Sequence, residues 1–135
     1  MTLRGPGTRL DLTIASGPDC EGWCRVRVAL DTPAGRWSAI DPCLTGTEVE
    51  RLAKWLEETA NGAAEGRLES YEPELAFDHS AAGPGKLQIE MRWTLRPSWA
   101  GGEPGEPLCL ALPAEPGQLC RAAEGLRSQM ASRSG

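Results

Sequence analysis

At 135 residues and 14.5 kDa the chain has the length of one domain, able to bury about two thirds of its unfolded surface without disulfide staples. Fourteen Lys and Arg against nineteen Asp and Glu leave a net charge of -5, which argues against nucleic acid as a principal partner. No run reaches signal-peptide or membrane-span length, so a cytoplasmic protein with no membrane association is expected, and its five cysteines, an odd number, read as reduced thiols.

Residues 1–8, with two glycines and a proline, read as a loose lead-in. Leu10, Leu12 and Ile14 then alternate with Asp11 and Thr13, a first strand. After turn chemistry around Gly17 and Pro18, Trp23–Leu30 places Cys24, Val26, Val28 and Leu30 on one face and Arg25 and Arg27 on the other. A loop at Asp31–Gly35 returns the chain as a strand over Arg36–Ile40. Thr45-Gly-Thr-Glu48 has the form of a capping box, Val49, Leu52, Ala53, Leu56 and Ala60 follow at helical spacing, and Asn61-Gly62 supplies a left-handed stop. Trp55 falls about 60° from Leu52 on that helix, at the margin of the apolar stripe, where it either caps the core or stands partly exposed.

Beyond the helix, Arg67–Ser70 and Leu75–His79 read as strands interrupted at Pro73, which marks an edge, a bulge or a corner. Ala81–Gly85 is a turn into Lys86–Leu95, the chain's organising strand, with Leu87, Ile89, Met91, Trp93 and Leu95 on the dry face. Residues 96–107 form a Gly/Pro-rich loop, Leu108–Leu112 a last strand, and Pro116 opens a helix carrying Leu119, Ala122, Ala123, Leu126 and Met130. Residues 132–135 are tail. Both helices follow runs of neighbouring strands, so the expected class is α+β: one antiparallel sheet of about six or seven strands, with two helices packed on one face, in the order βββ-α-βββ(β)-α. Residues 1–135 form a single domain.

Chemistry-bearing patterns are sparse. Asp78-His79-Ser80 invites a triad, but consecutive strand residues point to opposite faces and no nucleophile elbow surrounds the serine. Cys20, Cys24 and His79 lack the paired spacing of a zinc site. Neither a phosphate-binding loop nor a dinucleotide fingerprint is present. No catalytic residue, metal or cofactor is expected.

Charge is more informative. Between Glu48 and Asp78 nine acids face three bases, Arg51, Lys54 and Arg67, a net of -6 that leaves the remainder near neutral. Such a segment is either a solvated face or a patch that steers toward a basic partner. Five tryptophans stand beside one Tyr and one Phe. Trp23 and Trp37 flank a hairpin, paired across it or with one outward, and Trp99, in the loop, is the one least explained by core packing.

Trp23-x-Arg-Val-Arg-Val28, Gly35-x-Trp37, Leu44 with Glu48, Trp55-Leu56, Glu72-Pro73-x-Leu75-x-Phe77 and the strand Leu87–Leu95 form one run of features. Together they resemble the WapI-type immunity protein family, small bacterial proteins associated with polymorphic secreted toxins, over about Asp19 to Arg127. The resemblance implies a non-enzymatic cytoplasmic protein that neutralises a cognate toxin domain, and it carries over no catalytic residue. The 96–107 loop and the short polar tail depart from the pattern. An inhibitor acting through its acidic surface would use Trp55, Glu57, Glu58, Glu69 and Glu72 as contacts. The alternative is a small-molecule-binding or accessory domain with no toxin partner, which predicts a tryptophan-lined pocket.

Overall fold

The structure, a computed structural model, describes every residue except 64, 65, 81, 104 and 135. Position 65 of the acidic segment, 81 of the expected turn, 104 of the Gly/Pro loop and 135 of the tail therefore lie outside the described residues. The chain runs β1 (Thr2–Gly5), β2 (Thr8–Ser16), β3 (Trp23–Thr32), β4 (Gly35–Thr45), α1 (Gly46–Ala60), β5 (Arg67–Glu69), β6 (Leu75–Asp78), β7 (Lys86–Met91), β8 (Leu108–Pro113) and α2 (Pro116–Ser134). A 3-10 turn over Trp93–Leu95 lies between β7 and β8. The strands form two antiparallel meanders, β1-β2-β3-β4 and β5-β6-β7-β8. The α+β class stands, but the single sheet of six or seven strands is two sheets of four, and each is followed by one helix.

Hairpin connections keep successive strands paired, whereas α1 carries the chain away from β4 before β5 begins. The sheets also approach where β1 nears β8: a Cβ on Gly5 would lie 2.9 Å from Pro113 Cδ. Pro113 has no N–H to give, which suits an edge strand that abuts its neighbour without extending the ladder. The helices pack on each other, α1 also against β4 and α2 against β1 and β2. One hydrophobic core draws on both sheets and both helices, from Leu12 and Val28 to Leu56, Phe77, Ile89 and Leu126.

Local chemistry explains the elements. Thr45 Oγ1 accepts from the Glu48 N–H at 3.1 Å while a Glu48 oxygen accepts from the Thr45 N–H at 3.0 Å, completing the capping box. Gly62, at φ 73°, takes the left-handed stop after Asn61. Pro116 opens α2, and the Glu115 carboxylate accepts from Gly117 and Gln118 at 2.8 and 2.7 Å.

Besides β4, which runs on to Thr45 past the expected end at Ile40, three segments depart from the sequence reading. The expected lead-in at 1–8 is a strand: Pro6-Gly7 makes a tight turn with Gly7 at φ 69°, and Leu3 is fully buried. The Met1 amino group donates to the Leu12 carbonyl at 3.0 Å. The organising strand ends at Met91, four residues early; Trp93 takes φ 53° and stands 60% exposed, while Leu95 is fully buried. The reason is tertiary: Arg92 N–H donates back to the Glu74 carbonyl, and Trp37 Nε1 donates to the Leu95 carbonyl at 3.2 Å, so the turn is pulled onto β4. Finally, α2 continues to Ser134 through most of the expected tail.

Candidate functional site

The five acid-patch residues singled out from the sequence do not share one environment. Trp55 is 6% exposed, its ring 6.1 Å from that of Phe77 and 5.8 Å from that of His79, so it caps the core and offers no protruding anchor. Glu57 turns toward α2, where Arg127 Nη1 meets it at 2.6 Å and Nη2 meets Glu50 at 3.0 Å. Glu58 stands 3.8 Å from Lys54, and Glu69 2.7 Å from Arg67 Nε. Glu72 is exposed beside Tyr71, which at 84% is the most exposed large hydrophobic side chain among the described residues.

The rest of the -6 segment is largely internal. Glu48 is buried as the cap of α1 and also accepts from the Tyr71 N–H at 2.8 Å; Glu74 and Asp78 are buried too. Instead of a continuous negative patch there is a face of mixed charge centred on Arg51. That residue lines three adjoining depressions: with Thr47, Glu48 and Tyr71, with Leu68 and Glu69, and with Lys54, Trp55, Glu58 and Arg67. Glu58, Glu69 and Tyr71 are therefore brought to one side of the molecule, and Glu57 is turned away from it.

A second charged cluster pins the short strand β5. Arg67 holds the Glu90 carboxylate with both terminal nitrogens, at 2.5 and 3.1 Å, and stands 3.7 Å from Asp78; Arg92 Nη2 adds a contact to Glu90 at 3.2 Å. The Arg67 hydrogen bond holds the Glu90 carboxyl below its ordinary range, against the opposing effect of burial.

Asp78 ends β6, and His79 and Ser80 bend away from it. Ser80 donates to Asp78 Oδ1 from its hydroxyl at 2.7 Å and its N–H at 2.8 Å, so the serine's proton is given to the aspartate and not to the imidazole. Cys20 is exposed and Cys24 is fully buried within the first sheet. Among the described residues, the side chains that do converge with metal-ligand chemistry are Asp41, Cys43 and Glu74, whose ligand atoms all lie within 4.8 Å of one another.

This trio was missed from the sequence, although a signal was there. β3 and β4 lose register between Cys24 and Val26: Cys24 faces Leu44 and Val26 faces Asp41, leaving Pro42-Cys43 opposite Arg25 alone. The bulge breaks alternation, so consecutive residues Cys43 and Leu44 are both buried. A proline followed by two apolar residues at a strand's end is the sequence mark of that event. Burial, ahead of the neighbouring Asp41, pushes the Glu74 carboxyl up to about 7, and burial with the Asp41 and Glu74 charges pushes the Cys43 thiol up to about 12.

Among the described residues, the tryptophans that line depressions do so in separate ones. Trp37 lines a shallow depression with Arg9, Asp11 and Arg36, and Trp55 lines another; each holds one tryptophan. Trp23 faces Thr45 and Trp37 faces Leu30, so the two do not pair. Trp99 closes over the β3–β4 turn, donating from Nε1 to the Arg36 carbonyl at 3.0 Å. Glycine at 35 permits this, since a Cβ there would stand 3.1 Å from that indole nitrogen.

The chain is thus a two-sheet α+β domain with an exposed Tyr71 beside a face of mixed charge. The model of the Immunity protein WapI-like family matches residues 3–132, and the chain belongs to that family. No curated protein and no solved structure matches it. No described helix is long and apolar enough to cross a membrane.

Proposed function

We propose that the chain is a non-enzymatic, cytoplasmic immunity protein that binds a cognate toxin domain and blocks it sterically. The observation that carries this reading is the family match over residues 3–132. The surface that fits the role best is the face around Arg51, with Tyr71 as its anchor and Glu58, Glu69 and Glu72 as its acidic contacts. Tyr71 offers a large amphipathic side chain on a backbone fixed by its N–H to Glu48, so little backbone order is lost on docking. Trp55 supports this face from beneath, and Glu57, tied to Arg127, stabilises the helix pair.

Electrostatic steering is the smaller part of the account. Glu58 and Glu69 face Lys54 and Arg67, which leaves Glu72 as the acid best placed to attract a basic partner. The test is affinity capture of the tagged chain from its native host at low and moderate salt, followed by co-expression of the captured protein's toxic domain with and without the chain. Recovery of a secreted-type protein through its C-terminal domain, with growth restored by the chain, is the expected result. Capture of the chain alone while the host's toxin genes are expressed would move the reading to an accessory domain.

A further inference from the structure

We propose that Asp41, Cys43 and Glu74 form a binding site for a divalent cation of the zinc type. The three residues converge from two elements that meet only in the fold: Asp41 and Cys43 flank Pro42 at the bulge of β4, and Glu74 enters β6 from the Tyr71–Pro73 turn. Their ligand atoms lie within 4.8 Å of one another. Tetrahedral ligands about 2.0 to 2.3 Å from zinc stand about 3.3 to 3.5 Å apart, so closing on an ion asks for movement of about 1 Å.

A second observation concerns the same residue. Glu74 is 9% exposed, its Oε2 receives no donor, and a neighbour its carboxylate meets at hydrogen-bond distance is the Asp41 carboxylate, itself an acceptor. Two carboxylates in contact away from bulk water need a proton or a cation between them, and here a thiol stands beside the pair. The rest of Glu74 is held: the Thr94 hydroxyl hydrogen-bonds its carboxylate and the Arg92 N–H donates to its carbonyl at 2.8 Å. The residue between them, Trp93, sits at φ 53°, so the turn that places Thr94 over Glu74 is itself strained.

Donor chemistry selects the ion. A thiolate with two carboxylates suits a borderline cation such as zinc, whereas magnesium and calcium favour oxygen alone. Binding replaces the Cys43 S–H bond with an S–metal bond, and the proton passes to the buffer. Asp41 is half-buried, which leaves an approach from solvent.

The experiment uses the full chain stripped with a chelator and titrated with Zn2+, Co2+ and Mg2+. The expected result is one Zn2+ per chain with a raised melting temperature, no response to Mg2+, and a thiolate-to-cobalt charge-transfer band with Co2+. Cys43→Ser abolishes the band and Glu74→Gln weakens Zn2+ binding by at least about tenfold, whereas Cys20→Ser/Cys109→Ser, which alters only exposed thiols, changes neither. No Zn2+ binding, no charge-transfer band from the unaltered chain, or a band lost only in the Cys20→Ser/Cys109→Ser variant would overturn the proposal. The first two readouts come from the native sequence, so they decide the matter even if a core variant fails to fold.

Discussion

The two halves of the molecule share one order, four strands and a helix, and differ in how they hold it. β2, β3 and β4 run nine, ten and eleven residues, whereas β5 to β8 run three, four, six and six. The first half is stabilised by long ladders with an alternating apolar face: Leu10, Leu12 and Ile14 on β2 and Val26, Val28 and Leu30 on β3 are buried. The second spends more of its chain outside ladders and relies on the Arg67–Glu90 cluster to hold β5 in place. The exposed aromatics Tyr71 and Trp93 both belong to this second half. The first half therefore has the longer ladders, and the second holds the exposed aromatics beside the Arg51 and Glu58 side chains of α1.

The sharpest way to break this comparison is to cut the shared core from each side. Leu12→Ala and Ile89→Ala both remove fully buried side chains, and each should cost about 2–5 kcal/mol of unfolding free energy by urea titration. Because one core spans both halves, each variant should still melt in a single transition. A biphasic melt of Ile89→Ala would make the halves separate cooperative units.

The next effect isolates the ionic device of the second half. Arg67→Ala leaves Glu90, 6% exposed, without its bidentate partner, at an expected cost of about 1–2 kcal/mol, below that of a fully buried pair because Arg67 is itself part-exposed. The pH dependence has a definite sign. The Glu90 carboxyl is held low in the folded state, so its contribution is present above the ordinary glutamate range and is lost as pH falls through its lowered folded value. The stability gap between the native chain and Arg67→Ala should therefore shrink on acidification from roughly pH 5 toward pH 3. A gap that widens there would contradict the assignment.

Smaller effects remain for the start of α1 and for the surface. Thr45→Ala removes one half of the capping box and should cost about 1 kcal/mol. Tyr71→Ala should leave stability within about 0.5 kcal/mol while weakening capture of a toxin domain at least about tenfold. The reverse pattern, a large loss of stability with binding intact, would make Tyr71 a structural residue.

How much was legible follows the range of the forces involved. β2, β3 and α1 were readable because alternation, the Thr45–Glu48 box and Gly62 are local signals. β1 was not, because Gly5-Pro6-Gly7 has a loop's composition, and only pairing with β2 makes it a hairpin. The alternation of Lys86–Leu95 continued past the strand's true end, since the pull of Trp37 on Leu95 acts across 58 positions. The pairing within the acidic segment was hidden for the same reason: Arg127, 77 positions beyond Glu50, meets both Glu50 and Glu57. Of the candidate contacts, Glu58, Glu69 and Glu72 remain surface residues, whereas the burial of Trp55 depended on Phe77 and the second sheet, which helical spacing alone does not encode. Tyr71 carried no local mark that set it above the tryptophans.

The measurement that bears most directly on the central claim is growth rescue. The toxic domain recovered by affinity capture is expressed in a heterologous bacterium with either the native chain or Tyr71→Ala/Glu72→Lys at equal soluble level. The account predicts that the native chain restores growth and the double variant does not. Failure of the native chain to restore growth would contradict the immunity function, and full rescue by the double variant would contradict the surface assigned to it.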